Sequence, residues 1–493
     1  MIIAMEADAY HLPSGTVKTL YFSEAGFTTR PDDMPPNVYF DPVIKTPPTL
    51  DRLLFDGAAT SGATKVTVGN VLLVNEDGHL DALATDYAFS GRRFVVKMSD
   101  DVETPYAEWT VVMTGTLSDV SVQDSGVSIV IEDRLADLTI GNRPKYLGNN
   151  VLPDGIEGTK DDLKDRVKPR VYGAVQNVSA LCVNTSKLIY QVSDAACTVS
   201  AAYDNGVALT RATDYASVAD MLATAPAAGS IRCFAGYFRL GAAPVGTVTC
   251  DASSSAVRAA DILLAIAHDA AVPDADLSLT DAAALNATNG ATVGVWADSD
   301  ATPQELMDLV AGSIGAWYGF DRLSRLRMGR LEAPAGSPRA TWGQETQMAL
   351  SIRYAGVPAW SVTINYARNY TVQTDVAGSA ARTAAWLALE YRSSVQDDAT
   401  IKVPWPHADE LSFDTGLSSE SDAVAESQRR LALYGTRRLT LDVDIPVSEL
   451  GAVDLGDVVA LDTPRFGLQG KLLRVIGINS GFAHGRAALV LWG

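Results

Sequence analysis

Short alternating strands with closely spaced turns are the pattern that most constrains the fold of this chain. The first strands are Lys65–Val68 and Asn70–Asn75, and a turn follows at Glu76–Gly78. Gly and Asp separate the strands at a spacing of roughly ten residues, which is typical of a β-barrel or a β-sandwich. Further strands of the same kind are predicted at Arg93–Lys97, Trp109–Met113 and Val127–Glu132. The sequence therefore predicts a first β-barrel-like domain over residues 64–140.

Helical signals follow residue 252. The clearest is Thr302-Pro303-Gln304-Glu305, in which Thr302 can cap a helix, proline suits its first position and Glu305 completes a capping box. This helix is predicted to end at Gly315 and to lead into a hairpin formed by Ala316–Phe320 and Arg325–Leu331. Further helices are predicted at Ala256–Ala271, Gly378–Tyr391 and Ser419–Leu433. The expected fold class is α+β and β-dominated, with several small β-barrel or β-sandwich domains and a helix-hairpin α/β module.

The length of 493 residues exceeds what one hydrophobic core usually organises, so several domains are expected. Six prolines between Pro31 and Pro48 favour an extended segment, because proline fixes φ and removes an amide donor. The predicted segments are an extended Pro-rich arm (1–63), the first β-barrel-like domain (64–140), a linker (141–170), a β-rich insertion (171–252), a mixed α/β region (253–435) and a C-terminal β-barrel-like domain (436–493).

The charge balance excludes some classes of partner. Lys and Arg total 39 against 59 Asp and Glu, which gives a net charge of −20. A nucleic-acid surface needs clustered basic residues, so none is expected, and binding to anionic lipid is disfavoured. The first residues, MIIAMEADAYHLPSG, lack the basic start of a signal peptide, and no run reaches the ~18 apolar residues of a membrane span. Synthesis and folding in the cytoplasm are therefore expected.

The cysteines form no close pair in the sequence. A zinc or iron–sulfur site usually contains at least one close pair, and cytoplasmic synthesis disfavours disulfides. Buried reduced thiols are therefore expected, while a metal cluster or two disulfides remain alternatives because all four lie in one segment. These residues are Cys182, Cys197, Cys233 and Cys250.

No pattern of catalytic residues stands out. There is no G-x-S-x-G elbow and no phosphate-binding glycine loop, and most carboxylates lie in turns, where they satisfy backbone amides. Asn75, Asp77 and Asp81 suggest a calcium loop but lack its regular spacing and terminal glutamate. No catalytic residue, cofactor or metal is therefore predicted. The histidines are also dispersed, at His11, His79, His268, His407 and His484.

Three stretches carry motifs of known protein families. Leu455–Leu461 followed by Gly470–Ile478, with Gly456 and Asp457 at its turn, resembles the closing β-domain of the central hub proteins of bacteriophage tail tips and baseplates in long-tailed phages. Thr302–Leu331 is similar to the family's module of a helix, an aromatic strand and an Arg-Leu strand. Val68–Leu83 resembles long-tailed phage proteins next to the hub.

This resemblance implies a non-enzymatic structural protein of the virion tail tip. Family members form a homotrimeric ring in which each subunit contributes two barrels, here 64–138 and 438–493, to match a hexameric tube. The implied partners are distal tail or tube proteins, the tape-measure protein and tail fibre or spike proteins, and the implied role includes relaying host attachment. Alternatives are a hexameric distal tail ring protein, a receptor- or carbohydrate-binding tip module with its specificity in 171–252, and a cell-wall hydrolase.

Overall fold

The computed structural model describes residues 2–55, 60–123, 126–141, 143–149, 155–354, 356–451, 453–481 and 485–493. Up to residue 140 the strands are β1 (Ile2–His11), β2 (Thr16–Ser23), β3 (Phe27–Thr28), β4 (Tyr39–Phe40), β5 (Ile44–Thr46), β6 (Leu50–Leu53), β7 (Gly62–Ala63), β8 (Lys65–Val68), β9 (Val71–Val74), β10 (Tyr87–Ala88), β11 (Arg92–Ser99), β12 (Thr110–Gln123) and β13 (Gly126–Glu132), with helix α1 (Ala82–Thr85).

The middle of the chain alternates strands and helices. Its strands are β14 (Arg170–Val178), β15 (Leu181–Asn184), β16 (Ile189–Gln191), β17 (Thr198–Asp204), β18 (Val207–Ala208), β19 (Thr210–Arg211), β20 (Ser230–Phe234), β21 (Tyr237–Leu240), β22 (Val248–Ser253) and β23 (Gly294–Ala297). Its helices are α2 (Val218–Ala223), α3 (Ala259–Asp269), α4 (Leu279–Thr288) and α5 (Pro303–Ile314).

The last third returns to β-structure. Its strands are β24 (Ala316–Phe320), β25 (Leu326–Arg330), β26 (Thr341–Gly343), β27 (Ala349–Tyr354), β28 (Ala359–Tyr366), β29 (Arg392–Asp397), β30 (Asp409–Asp414), β31 (Leu439–Pro446), β32 (Val458–Thr463), β33 (Leu468–Gly481) and β34 (Arg486–Trp492). Its helices are α6 (Ala384–Leu387), α7 (Glu420–Tyr434) and α8 (Val447–Leu450). The predicted class, α+β and β-dominated, is confirmed.

The first large sheet is antiparallel and curls back on itself. Its order is β2-β1-β11-β12-β13-β9-β5, and β10 also pairs with β1. Residues 39–46 link its two ends, since the Ser23 N–H donates to the Asp41 carbonyl at 2.7 Å and Ile44 pairs with Leu73. The sheet is therefore barrel-like. The extended arm predicted for 1–63 is wrong, because the alternation of buried residues over Ile2–His11 places β1 inside this sheet.

The second large sheet contains the C-terminal strands in the order β26-β32-β33-β34-β31-β27. Two of its strands come from outside the predicted C-terminal domain, because β26 pairs with β32 and β27 pairs with β31. The hairpin of β6 and β8 also joins this sheet through β33. Lys65–Val68 is thus a strand, as predicted, but it belongs to the C-terminal sheet and not to the first one.

One hydrophobic core joins the two large sheets. It is continuous from the strands at the start of the chain to those at the end. Burial of such side chains is the main favourable contribution to folding, at about 25 cal/mol per Å² of apolar surface. The two large sheets are consequently one packing unit. Members that are almost fully buried include Ile3, Leu73, Phe94, Ile129, Leu441, Val459 and Leu489.

The predicted β-rich insertion forms a sandwich of two five-stranded sheets, β18-β17-β22-β14-β23 and β15-β16-β21-β20-β19. Strand β23 lies beyond the predicted limit at residue 252 and completes the first sheet. Asn205 and Gly206 both have positive φ, as predicted for the hairpin between β17 and β18. The described part of the predicted linker packs on the sandwich, where Tyr146 and Leu163 are buried.

The helices pack around the hairpin of β24 and β25. Helix α5 begins and ends as predicted, because its cap contains both hydrogen bonds of a capping box and Gly315 ends it with φ of 67°. Helix α7 packs on the three-stranded sheet β29-β28-β30 and is capped by Ser419, also as predicted. Among the described residues, no helix combines the length and the apolar character needed to cross a bilayer.

Residues 367–391, which we call the clasp, pack over the sandwich. The helix predicted at Gly378–Tyr391 is wrong, because only the short helix α6 forms within that range. Arg382 forms a 2.8 Å ion pair with Asp251, and Asn177 Nδ2 donates to Asn369 Oδ1 at 2.7 Å. Contacts with the sandwich therefore override the helical propensity of the alanines in this segment.

The capping box of α5 gives a first testable prediction. Thr302 Oγ1 accepts from the Glu305 N–H at 3.2 Å, and Glu305 Oε2 accepts from the Thr302 N–H at 2.8 Å. Thr302→Ala should lower the free energy of unfolding by about 1 kcal/mol, because a helix N–H loses its partner. Urea denaturation measures this loss. Gln304→Ala, one position from the box, is the control, and an equal loss in both variants would contradict the capping role.

Candidate assembly surfaces

The outer face of the first sheet carries an uncharged strip. Strands β9 and β13 bury one set of alternating side chains and expose the other. Leu72 and Val74 are 41% and 36% exposed, and they pair with Ser128 and Gly126 on the neighbouring strand. No charged side chain points outward here between Gly126 and Val130. We call this surface, formed by Leu72, Val74, Gly126, Ser128 and Val130, the outer strip.

A second surface lies on the three-stranded sheet. Val362 and Ile364 on one side of β28 are fully buried beneath α7. The opposite side is exposed and acidic, and Val395 at its centre is 53% exposed. Both β29 and β30 pair only with β28 in the described part of the chain, so each has an open edge. This acidic face consists of Ser393, Val395, Asp397, Glu410, Ser412 and Asp414.

A partly buried ionic network holds the hairpin of β24 and β25 against the second large sheet. Arg327 contacts the carboxylates of Asp281, Asp321 and Asp454, and Arg52 also binds Asp454. Burial opposes the charge of Arg327, but Asp281, Asp454 and Asp321 outweigh it and raise its pKa. Because these residues come from distant parts of the chain, the network ties the hairpin of β24 and β25 to α4 and to the second large sheet.

The four cysteines lie together in the sandwich. Cys233 and Cys250 belong to its core, with Cys182 and Cys197 packed against them, and all four are free thiols. Burial raises the pKa of Cys197 and of Cys233 to about 11, so both are protonated at neutral pH. A metal-binding thiolate needs the opposite shift. Within the described residues, no group of three or more His, Cys, Asp or Glu is arranged to hold a metal.

His11, His79, His268 and the calcium-like loop have local structural partners. His79 lies between Asp77, at 2.5 Å, and Asp41, at 3.0 Å, and its hydrogen bond to Asp77 raises its pKa. Asn75 donates to Asp81 at 2.8 Å and accepts from the Leu80 N–H, so its amide is occupied within the loop. His11 is 2.7 Å from the Ser14 hydroxyl in an exposed turn. His484 lies outside the described residues.

Sequence reasoning missed both candidate surfaces. The four consecutive apolar residues Val71–Val74 carried a signal for the outer strip. A strand with one solvated face normally alternates apolar and polar residues, so an unbroken apolar run indicates that its outer face is apolar too. The clasp and the ionic network carried no signal in the sequence, because the residues that contact each other in them are far apart along the chain. Arg52 and Asp454, for example, are separated by 402 positions.

No protein-family model matches this sequence, and a search of curated proteins finds no match either. Solved structures that resemble the chain include phage tail and baseplate proteins, the class named by the sequence resemblance. The tail protein from Neisseria meningitidis MC58 has 10% identity and a TM-score of 0.43, over 100% of this chain and 96% of that chain.

Two further structures cover the full length of this chain. The 43 kDa tail protein of prophage MuSo2 from Shewanella oneidensis has 12% identity and a TM-score of 0.38, over 98% of that chain. The prophage tail protein gp18 from Listeria monocytogenes EGD-e has 8% identity and a TM-score of 0.33, over 94% of that chain.

Proposed function

We propose that this chain is a non-enzymatic structural protein of a phage tail tip or baseplate, and that it is the central hub. The observation that carries the proposal is a pair of large β-sheets, one mostly N-terminal and barrel-like and one mostly C-terminal, that share a hydrophobic core. Three such chains would present six barrels, which suits a junction between a hexameric tube and a trimeric tip. The hub-like stretches at Leu455–Ile478 and Thr302–Leu331 support the same role.

The residues of the candidate surfaces fit assembly better than catalysis. The outer strip is uncharged on a chain of net charge −20, so two copies can bring it together without burying charges. An obligate ring would bury more than about 2,000 Å² per contact, and the strip would form only the centre of such an interface. The sandwich has its own core and would lie at the periphery, where it could contact fibres or host structures.

The outer strip can be tested by charge substitution. We expect the double variant Leu72→Lys, Val74→Lys to abolish ring formation, because like charges would be buried at the contact. Its fold should persist, since both side chains already face solvent. Native mass spectrometry of the assembled tip measures the copy number, and three copies are expected.

Val245→Lys provides a matched control, because Val245 is 92% exposed in a loop away from the strip. It should leave assembly unchanged. Six copies per ring would favour a distal tail ring protein instead of a hub. Rings that form normally from the double variant would remove the outer strip from the interface, and clearing of peptidoglycan by the purified chain would overturn the non-enzymatic role.

A further inference from the structure

Strand β30 is an edge of the three-stranded sheet, and its outward backbone groups are unpaired. Within the described part of the chain it pairs only with β28, in parallel. Just beyond its end, the Thr415 N–H donates to the Asn365 carbonyl on β28 at 3.0 Å. Backbone groups alternate in direction along a strand, so those of Glu410, Ser412 and Asp414 point away from β28.

This edge is accessible over its whole length. Glu410, Ser412 and Asp414 are all exposed, and no backbone group of the described residues bonds to theirs. The strand has six residues, which at about 3.3 Å per residue gives an edge of roughly 20 Å. A row of unpaired N–H and C=O groups is a template on which another strand can pair.

Two carboxylates mark this edge. Glu410 and Asp414 lie four positions apart on the acidic face, which places them roughly 13 Å apart along the strand. Asp414 accepts a hydrogen bond from Asn365 Nδ2 at 2.7 Å, and among the described residues no Lys or Arg forms an ion pair with either carboxylate. Both charges are therefore available to a cation that approaches the edge.

The positions of these charges favour one kind of occupant. If two copies of β30 paired in antiparallel fashion about Ser412, Glu410 of each copy would lie opposite Asp414 of the other. Like charges directly opposite each other destabilise a strand pair, whereas opposite charges stabilise it. The acidic edge therefore disfavours a second copy of this chain and favours a strand that carries positive charges.

We propose that the edge of β30 binds an extended segment of a partner polypeptide by strand addition, and that two basic residues of the segment recognise Glu410 and Asp414. The two basic residues are four positions apart, so both lie on the same side of the added strand. The residue midway between them lies opposite Ser412. This inference goes beyond the proposed hub role and does not depend on it, because the edge is separate from the outer strip.

Fluorescence anisotropy with labelled peptides and the full chain tests the proposal. The first probe is Thr-Lys-Val-Thr-Val-Lys-Thr, acetylated and amidated, with its lysines four positions apart. The second has glutamate in place of both lysines. The third, Thr-Lys-Val-Thr-Lys-Val-Thr, has the same composition, but its lysines are three positions apart and lie on opposite sides of a strand.

The first probe should bind about tenfold or more tightly than the glutamate peptide, because two cross-strand pairs change from attraction to repulsion. It should also bind about threefold or more tightly than the third probe, which can place only one lysine opposite a carboxylate. Equal binding of the first two probes, or of the two lysine peptides, would overturn the proposal.

Charge variants locate the binding edge. Glu410→Gln combined with Asp414→Asn should remove the preference for lysine over glutamate. Glu103→Gln combined with Glu108→Gln is the matched control, because it removes the same charge from exposed positions outside the three-stranded sheet. The control should retain the preference. A preference that survives the Glu410 and Asp414 variant would show that the peptide binds elsewhere.

A proline variant tests the backbone pairing. Ser412→Pro removes an outward N–H without removing a bond to β28, and should weaken the first probe at least fivefold. Val395→Pro is the control on the other edge, where the Asp398 N–H bonds to the Trp360 carbonyl at 2.8 Å and Val395 therefore points outward. Unchanged binding by a folded Ser412→Pro, or loss only in Val395→Pro, would overturn the proposal; if the proline variants do not fold, the charge variants decide.

Discussion

Replacement of Glu426 by alanine is expected to lower the free energy of unfolding by about 3–5 kcal/mol, because it leaves buried arginines without a counter-ion. Glu426 on α7 is 2% exposed and accepts hydrogen bonds from Arg430 at 2.6 Å, Arg429 at 2.7 Å and Arg330 at 2.5 Å. Arg430 also donates to the Gly312 carbonyl of α5. The carboxylate therefore holds α7 against both α5 and β25.

The free energy of unfolding that Glu426→Ala loses should depend on pH, in a direction set by the pKa of Glu426. Burial alone would raise the pKa of Glu426, but Arg429, Arg430 and Arg330 outweigh it and lower the pKa from 4.5 to about 2. A lowered pKa means that the carboxylate stabilises the fold fully above pH 4.5 and loses this effect as pH falls towards 2. The difference between wild type and Glu426→Ala in urea denaturation should shrink over that interval.

Glu410→Ala is the control for this experiment, because Glu410 lies exposed on the acidic face. It should change the free energy of unfolding by less than about 0.5 kcal/mol at neutral pH. A similar loss of stability in Glu426→Ala and Glu410→Ala would show that the buried ion pairs of Glu426 stabilise the fold no more than an exposed carboxylate does.

Gly294→Ala is expected to cost about 3 kcal/mol or more, through overpacking against backbone. A Cβ at Gly294 would lie 1.8 Å from the Ala174 carbonyl oxygen, and its paired residue Gly173 is equally close to the Val293 carbonyl. Flexible side chains can move away from such an overlap, but paired strands cannot do so without losing their hydrogen bonds. The variant should therefore loosen the contact between the sandwich and the helices.

Thermal unfolding and limited proteolysis measure this effect, and fragments cut between the sandwich and the helices are expected. Gly378→Ala is the matched control, since a Cβ there meets no atom within 4 Å. That variant should unfold like the wild type. Wild-type stability of Gly294→Ala would mean that β14 and β23 lie farther apart than described.

The elements that sequence reasoning placed well are those with local signals. Helix α5 was predicted because Thr302, Glu305 and Gly315 mark its ends within one short segment. The C-terminal strands followed from alternation and from the turn at Gly456, whose φ is 86°. Such signals depend on neighbouring residues alone, so they are readable without the tertiary structure.

The errors arose where distant contacts decide the outcome. Alternation identified Lys65–Val68 as a strand but could not show that its partner β6 pairs with β33. The prolines between residues 31 and 48 favoured the prediction of an extended arm. The strands before and after them were therefore not predicted.

The shared core of the two large sheets has a consequence for biosynthesis. Ile3 and Phe94 leave the ribosome long before Leu441 and Leu489, with which they share one core. At about 5–20 residues per second, the N-terminal strands wait some tens of seconds for these partners. A chain truncated before Leu441 would leave the apolar surface of the first sheet open, and chaperones or proteases recognise such surfaces.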